Sequence, residues 1–383
     1  MRSVGSSFLS VEALVPGNGL RFPAVVCIGM VWLSGCSSLA TARSSTLSDI
    51  ANAASPYHPA YVQYRQGRLT EAQLTDRLPH IAMIGDSLSR DFFVSSVFGM
   101  LWRAKMHHRR DWFLDTDASP DSVYSVYERL ARETPLVACE YSSAGGEVDS
   151  GGGNRGLLGP WLPLDLSQQT DLVLEEKRFP DLVLLWIGHN NLDWVDSVDP
   201  HLRENADLDA VWQKMAADFR KDYERQLRRL VERARQDERR RALIVFGLFN
   251  LKSFFEARDA AERLREKDPR RFPSFDVCYQ RFESMKPEYR AHMVRLALMM
   301  NEALRAMVAE FNRELGGDAK VRLEYSDALA TLDIGNVALI HPMDAWHPSA
   351  KGHSVLAEAA FGTLGPSLEF LGIVANRKNG DCR

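Results

Sequence analysis

Short apolar runs and amphipathic stretches alternate along the chain, and their periods predict the elements. His80 to Ile84 reads as a fully buried parallel strand, after which Phe92, Phe93, Val94, Val97, Phe98, Leu101 and Trp102 recur at roughly helical spacing. Pro120 to Arg132 reads as a helix and Leu136 to Tyr141 as a second strand. Asp181 to Ile187 is a continuous apolar run, the third strand, and Ala242 to Phe249 is the fourth. Between them, Asp207 to Arg240 predicts a long charged helix in which Phe219, Tyr223, Leu227, Leu230, Val231 and Ala234 form one apolar stripe. Met293 to Leu315 predicts a further helix, closed by Gly316 and Gly317. Val321, Leu323 and Tyr325 alternate with Arg322 and Glu324, so the last strand is expected to be half exposed. Strands alternating with helices predict an α/β fold whose parallel sheet is covered on both faces.

The chain of 383 residues is 45% hydrophobic and 26% charged, ample for a large core. Net charge is −4, and nothing in it suggests a nucleic-acid partner. There is no paired CxxC and no HExxH, and His107 and His108 sit in a basic surface-like run, so neither a metal nor another cofactor is expected. Cys139 falls in a predicted buried strand as a free thiol; Cys278 and Cys382 are candidates for pairing, which spacing alone does not decide.

Chemistry concentrates where the first strand ends, at Gly85-Asp86-Ser87-Leu88. A serine there sits at a helix N-terminus, where unpaired N–H groups favour a developing oxyanion, although Asp and Ser also serve there as plain caps. Far downstream, Asp344 and His347 stand three apart in HPMDAWHPSAKGH, between a strand and the final helix. A serine nucleophile needs a histidine to take its proton and a carboxylate to orient that histidine, and one loop can present both. His341 and His353 flank His347 and are expected to be structural. The order Ser, Asp, His also fits α/β-hydrolases, but their elbow needs glycine where Ser89 stands.

These blocks resemble those of the GDSL, or SGNH, hydrolase family of serine esterases and lipases. The nucleophile block is matched by Gly85-Asp86-Ser87-Leu88 and the glycine block by Ser143-Ala144-Gly145-Gly146-Glu147, with Gly146 the preferred match and Gly145 the near alternative. The asparagine block appears as Gly188-His189-Asn190-Asn191, and the last block as Asp344-Ala345-Trp346-His347. Asn191 stands where the family usually has Asp. The resemblance implies a flavodoxin-like three-layer α/β/α sandwich with a five-stranded parallel sheet in the order 2-1-3-4-5. It implies Ser87, Asp344 and His347 as the triad, with Ser87, Gly146 and Asn190 as the oxyanion hole. His189, between two loop-fixing residues, is expected to point away from the site.

The N-terminus carries an address. Arg2 and Arg21 precede the apolar run Ala24 to Leu33, too short to span a bilayer, and Leu33-Ser34-Gly35-Cys36 resembles the lipobox of bacterial lipoproteins. That resemblance implies a lipid anchor on Cys36 in the bacterial cell envelope, and Ser37 in place of Asp favours the outer membrane, facing the periplasm. The alternatives are ordinary cleavage after Ala40 or Ala42, or a buried helix; the long stretch ahead of the run leaves open a true start codon downstream of Met1. The expected organisation is a signal peptide over 1–35, a tether and extension over 36–78, a catalytic domain over 79–374 and a tail over 375–383. Insertions are expected near 147–179 and 251–288. Leu157 to Leu174 is either a rim over an acyl pocket or packing under a long loop, and Lys252 to Lys286 is a charged insertion suited to specificity.

The expected function is hydrolysis of carboxylic esters through an acyl-enzyme at Ser87, of the esterase, lipase or lysophospholipase type, by a monomer acting on an acyl lipid. Removal of acetyl groups from envelope glycans, acyl transfer to another alcohol and a non-catalytic envelope lipoprotein are the alternatives.

Overall fold

The computed structural model describes residues 43–44, 59–90, 111–115, 123–143, 145–148, 164–193, 195, 198, 207–271, 287–342 and 345–373. Six strands form one sheet: β1 (Arg43–Ser44), β2 (His80–Gly85), β3 (Val137–Glu140), β4 (Leu182–Trp186), β5 (Arg241–Phe246) and β6 (Val321–Ser326), in the order β1-β3-β2-β4-β5-β6. β2 to β6 are all parallel, in the order that the family resemblance implies. β1 is the strand that the sequence does not reveal. β1, inside the Ser/Ala-rich stretch read as a tether, pairs antiparallel with β3 at the sheet edge, with Arg43 opposite Glu140.

The strand compositions follow from position in the sheet. β4 and β5 lie between neighbours and under helices, so every residue in them is buried and every one but the leading Arg241 of β5 is apolar. β6 closes the sheet, and Val321 and Leu323 face inward while Arg322 and Glu324 are partly exposed, which is the alternation expected of a half-covered edge. The amino ends of β4 and β5 are tied by charge. Asp181 accepts the His80 N–H at 2.8 Å and pairs with Arg178 and with Arg241, which is itself almost fully buried. This leaves the carboxyl ends of the strands for chemistry.

The long helix Leu208–Arg235 buries Trp212, Phe219, Tyr223, Leu227 and Leu230 as one stripe and begins where the Asp207 carboxylate accepts the N–H groups of Asp209 and Ala210. Its charged face is laced to the helix Pro287–Leu315 by Arg220–Glu310 and Arg228–Glu314. The arginines are thus largely paired rather than a bare basic surface.

Boundaries shifted where a cap competes with periodicity. The helix expected from Pro120 begins only at Val126, because Ser125 and Glu128 form a reciprocal capping box. The helix expected from Met293 starts at Pro287. The stretch read as a charged insertion contains the helix Leu251–Lys267, which buries Phe254, Phe255, Ala257, Arg258 and Ala261 and is part of the core. Its later part, 272–286, lies outside the described residues, as do Cys36, Cys278, Cys382 and the apolar repeat Phe92 to Trp102. Before β2, the helices Pro59–Arg65 and Glu71–Arg77 pack Ala60, Leu74 and Leu78 against Val137 of β3. Among the described residues no helix is long and apolar enough to cross a membrane.

Candidate active site

The turn that carries Ser87 is held by hydrogen bonds from two directions. β2 ends at Gly85, whose N–H donates to Oε1 of Gln169 and whose carbonyl accepts from Nε2 of the same side chain, both at 2.9 Å. Gln169 sits on the buried helix Leu166–Glu175, and its amide thus behaves as one more residue of a strand beside β2. This decides part of the Leu157 to Leu174 segment: from Leu166 onward it is packing that supports the Ser87 turn, while 157–163 lie outside the described residues. Asp86 then caps a short 3-10 turn, Ser87–Ser89, its Oδ1 accepting the Leu88 N–H at 3.0 Å. Ser87 is therefore the first residue after a cap, at the amino end of a helical turn, and only 6% exposed.

After β3, the glycine block makes a tight turn. Gly145 takes φ +76°, which glycine tolerates without strain, and the N–H of Gly146 donates to the Ser143 carbonyl at 3.0 Å. A Cβ on Gly146 would lie 2.7 Å from the Leu164 carbonyl oxygen, so no side chain fits there. The N–H that the resemblance assigns to the oxyanion hole is thus engaged in the turn, and it would have to leave Ser143 to serve. Catalytic hydrogen bonds commonly tighten only when substrate is bound.

After β4, Gly188 adopts φ +127°, a conformation closed to residues with a side chain, and turns the chain into the 3-10 segment His189–Asp193. Asn190 Nδ2 donates to the Gly146 carbonyl at 2.8 Å, which joins the asparagine and glycine blocks directly. Asn191 is fully buried, and its Oδ1 accepts the Val148 N–H at 2.9 Å. His189, expected to point away, is instead buried against the turn that carries Ser87. Its Nδ1 lies 2.7 Å from Oδ2 of Asp86, and the Phe249 N–H approaches its Nε2 at 3.4 Å.

The loop between β6 and the helix Ala350–Thr363 brings His347 to the same end of the sheet. The loop is closed by the His341 N–H, which donates to the His347 carbonyl at 2.7 Å, and by pairing of Ile340 with Pro348. Ala345 takes φ +51°, an uncommon conformation for a residue with a side chain. Its carbonyl accepts from Nη1 of the buried Arg258 at 3.0 Å, and Trp346 stacks edge-on against Phe249 and Phe254. Asp344 lies outside the described residues.

His353, expected to be structural, is fully buried, and its Nδ1 accepts the Trp112 N–H at 3.3 Å. Burial, with His347 and His341 nearby, pushes its pKa down to about 3, so it is a neutral packing element near neutral pH. Burial likewise pushes the Cys139 thiol up to about 12, which makes it unreactive. Among the described residues no group of three or more His, Cys, Asp or Glu side chains is placed to hold a metal ion.

A partly open apolar pocket adjoins the site. Leu88 and Pro348, the chain neighbours of Ser87 and His347, both line it, and Trp186, Phe249, Leu339 and Leu356 are part of its wall. Sequence reasoning missed Gln169, Arg258 and the Asp86–His189 contact. Gln169 lies in the segment read as a rim or as packing under a loop, and Arg258 in the stretch read as a charged insertion, and only their burial reveals the role.

Residues 81–360 match the family model described as GDSL-like lipase/acylhydrolase, which spans all the blocks above. No curated protein matched the chain.

Proposed function

Because the chain belongs to the GDSL-like lipase/acylhydrolase family, whose members hydrolyse esters, we propose that it cleaves carboxylic esters of apolar acyl groups through an acyl-enzyme at Ser87. His347 takes the Ser87 proton as the hydroxyl attacks the ester carbonyl, and Asp344 orients His347. Asn190, whose Nδ2 has a second proton beyond the one given to Gly146, stabilises the oxyanion together with the backbone N–H of Ser87 and of the Gly145-Gly146 turn. His347 then protonates the leaving alcohol, and water repeats the cycle on the acyl-enzyme. Ester substrate binds without a cofactor.

One observation carries the substrate reading: the apolar pocket is lined by the immediate neighbours of both Ser87 and His347, so an acyl chain on Ser87 has an apolar surface to lie against. Each methylene that enters is worth about 0.8 kcal/mol, or roughly fourfold in kcat/KM, until the pocket is full. The sequence Leu33-Ser34-Gly35-Cys36 after an apolar run supports a lipid-anchored enzyme of the bacterial envelope, at the outer membrane facing the periplasm, where acyl lipids are at hand.

Hydrolysis of p-nitrophenyl esters from acetate to palmitate by the chain after Cys36, with Ser87→Ala alongside, tests the proposal. Activity that climbs with chain length and vanishes in Ser87→Ala is expected. Substantial turnover by Ser87→Ala overturns the serine assignment, and activity confined to acetate overturns the acyl-pocket reading.

A further inference from the structure

We propose that His189 is a positioning residue that fixes the nucleophile turn through Asp86, and that turnover at Ser87 depends on its imidazole being held with the proton on Nδ1. The inference rests on the reading of Ser87 as nucleophile and adds a residue to it.

Asp86 is fully buried, and each of its oxygens is spoken for. Oδ1 caps the Leu88 N–H at 3.0 Å, while Oδ2 accepts both the His189 backbone N–H at 3.2 Å and His189 Nδ1 at 2.7 Å. A buried carboxylate is tolerable only when such donors surround it. The cap on Leu88 sets the 3-10 turn that begins at Ser87, so whatever fixes the Asp86 carboxylate also fixes Ser87.

The second nitrogen of His189 is fixed as well. The Phe249 N–H points at Nε2 at 3.4 Å, which requires a lone pair there, whereas the Asp86 carboxylate requires a proton on Nδ1. Only the neutral Nδ1–H tautomer meets both demands. The ring is clamped by its neighbours, stacked on Phe249 at 5.0 Å between centroids and edge-on to Trp186 at 4.7 Å. Phe249 in turn meets Trp346, next to His347. One imidazole thus joins the ends of β2, β4 and β5 and, through Phe249, reaches the loop of the proposed base. It does not approach the reacting atoms by any contact of its own, so its effect is on the placement of Ser87 and Asn190.

His189→Phe keeps a ring in the stack and removes both side-chain hydrogen bonds; His189→Gln can restore both, since its amide offers an N–H and a carbonyl. With folding checked by circular dichroism, His189→Phe is expected to lower kcat by about 10- to 100-fold with KM within about twofold, the size of effect that slight misplacement of a reacting group produces. His189→Gln is expected to recover most of the loss. Asp86→Asn, which turns one acceptor into a donor, should be slowed similarly, and combining it with His189→Phe should add little.

A kcat for His189→Phe within twofold of the native enzyme overturns the proposal, as do a His189→Gln variant as slow as His189→Phe and losses that multiply in the double variant. Nitrogen-15 histidine NMR of the native protein tests the tautomer even if variants fold poorly: a proton on Nδ1 of His189 is expected, and a proton on Nε2 overturns it. Ser87→Ala keeps the two readings apart. If it retains turnover, the serine assignment falls and this one with it; if it is inactive while His189→Phe is not slowed, only the role of His189 falls.

Discussion

Oδ1 of Asn191 accepts the backbone N–H of Val148 at 2.9 Å, so the residue that departs from the family pattern still binds the asparagine block to the chain that follows the glycine block. What the position supplies is an acceptor in a fully buried place, and either an amide or a carboxylate can provide it. Asn191→Leu should leave the Val148 N–H buried and unpaired, at a cost of about 1–3 kcal/mol in urea denaturation, and should also lower kcat because Asn190 is its chain neighbour. Asn191→Asp keeps the acceptor and should retain most activity. An Asn191→Leu enzyme with native stability and kcat would show that the bond does nothing.

Gln169 carries both ends of one peptide-like pairing with Gly85, whose carbonyl also accepts the Ser143 N–H at 3.0 Å. Gln169→Leu is nearly isosteric and removes the side-chain acceptor of the buried Gly85 N–H at the root of the Ser87 turn, while the Gly85 carbonyl keeps the Ser143 N–H. We expect a loss of about 1–3 kcal/mol in urea denaturation, the cost of a buried N–H left unpaired. Gln169→Glu should fall at least as far, since it keeps an acceptor for the Gly85 N–H but sets a carboxylate oxygen against the Gly85 and Leu164 carbonyls that now accept from Nε2. Equal stability of Gln169→Leu and the native chain would contradict the pairing.

His353 makes stability depend on pH with a definite sign. Its folded-state pKa lies near 3, below the roughly 6.5 of an unfolded histidine, so between those values the unfolded chain binds a proton that the folded chain excludes. The stabilisation is therefore complete above about pH 6.5 and erodes by about 1.4 kcal/mol per pH unit as pH falls toward 3. His353→Asn, whose Oδ1 can still accept the Trp112 N–H, should flatten the slope of stability between pH 6 and pH 4. His80 leaves some slope behind, because burial lowers its pKa too. Chemical denaturation at several pH values reads the difference, and parallel curves for the two proteins would refute it.

The parts of this molecule that could be read from the chain are those where one period or one motif dominates. The apolar runs of β2, β4 and β5 and the stripe on Leu208–Arg235 are buried on the faces their periods indicate. Ser87, Gly146 and Asn190 follow strand ends as the blocks suggest. What stayed hidden depends on long-range pairing. The edge strand β1 lies in a Ser/Ala-rich stretch with no strand pattern, and its partner is almost 100 residues away. His189 read as a bystander because nothing in Gly188-His189-Asn190 says that Asp86 is within reach. Arg258 read as one charge among many in a charged stretch, whereas it is buried and directed at the His347 loop.

That last contact yields the most direct test of how the loop of the proposed base is held. Ala345 sits at φ +51°, which costs a residue with a side chain on the order of 1–2 kcal/mol, and the strain persists only because the surroundings fix it. The surroundings here are the Arg258 bond to the Ala345 carbonyl, the Ala345 N–H donating to the His341 carbonyl at 2.9 Å, and the packing of Trp346 on Phe254. Arg258→Met fills much of the same volume without the hydrogen bond. It should cost about 1–3 kcal/mol, the penalty for a buried carbonyl left unpaired, and should let Ala345 relax toward negative φ. Because His347 is two residues further on, kcat on p-nitrophenyl butyrate should fall by about 10-fold or more while KM changes little. Ala345→Gly in the Arg258→Met background removes the incentive to relax and should recover part of kcat, though little stability, since glycine adds its own entropic cost. If Arg258→Met turns over like the native enzyme, the bond to Ala345 is packing alone and the loop is set by Trp346.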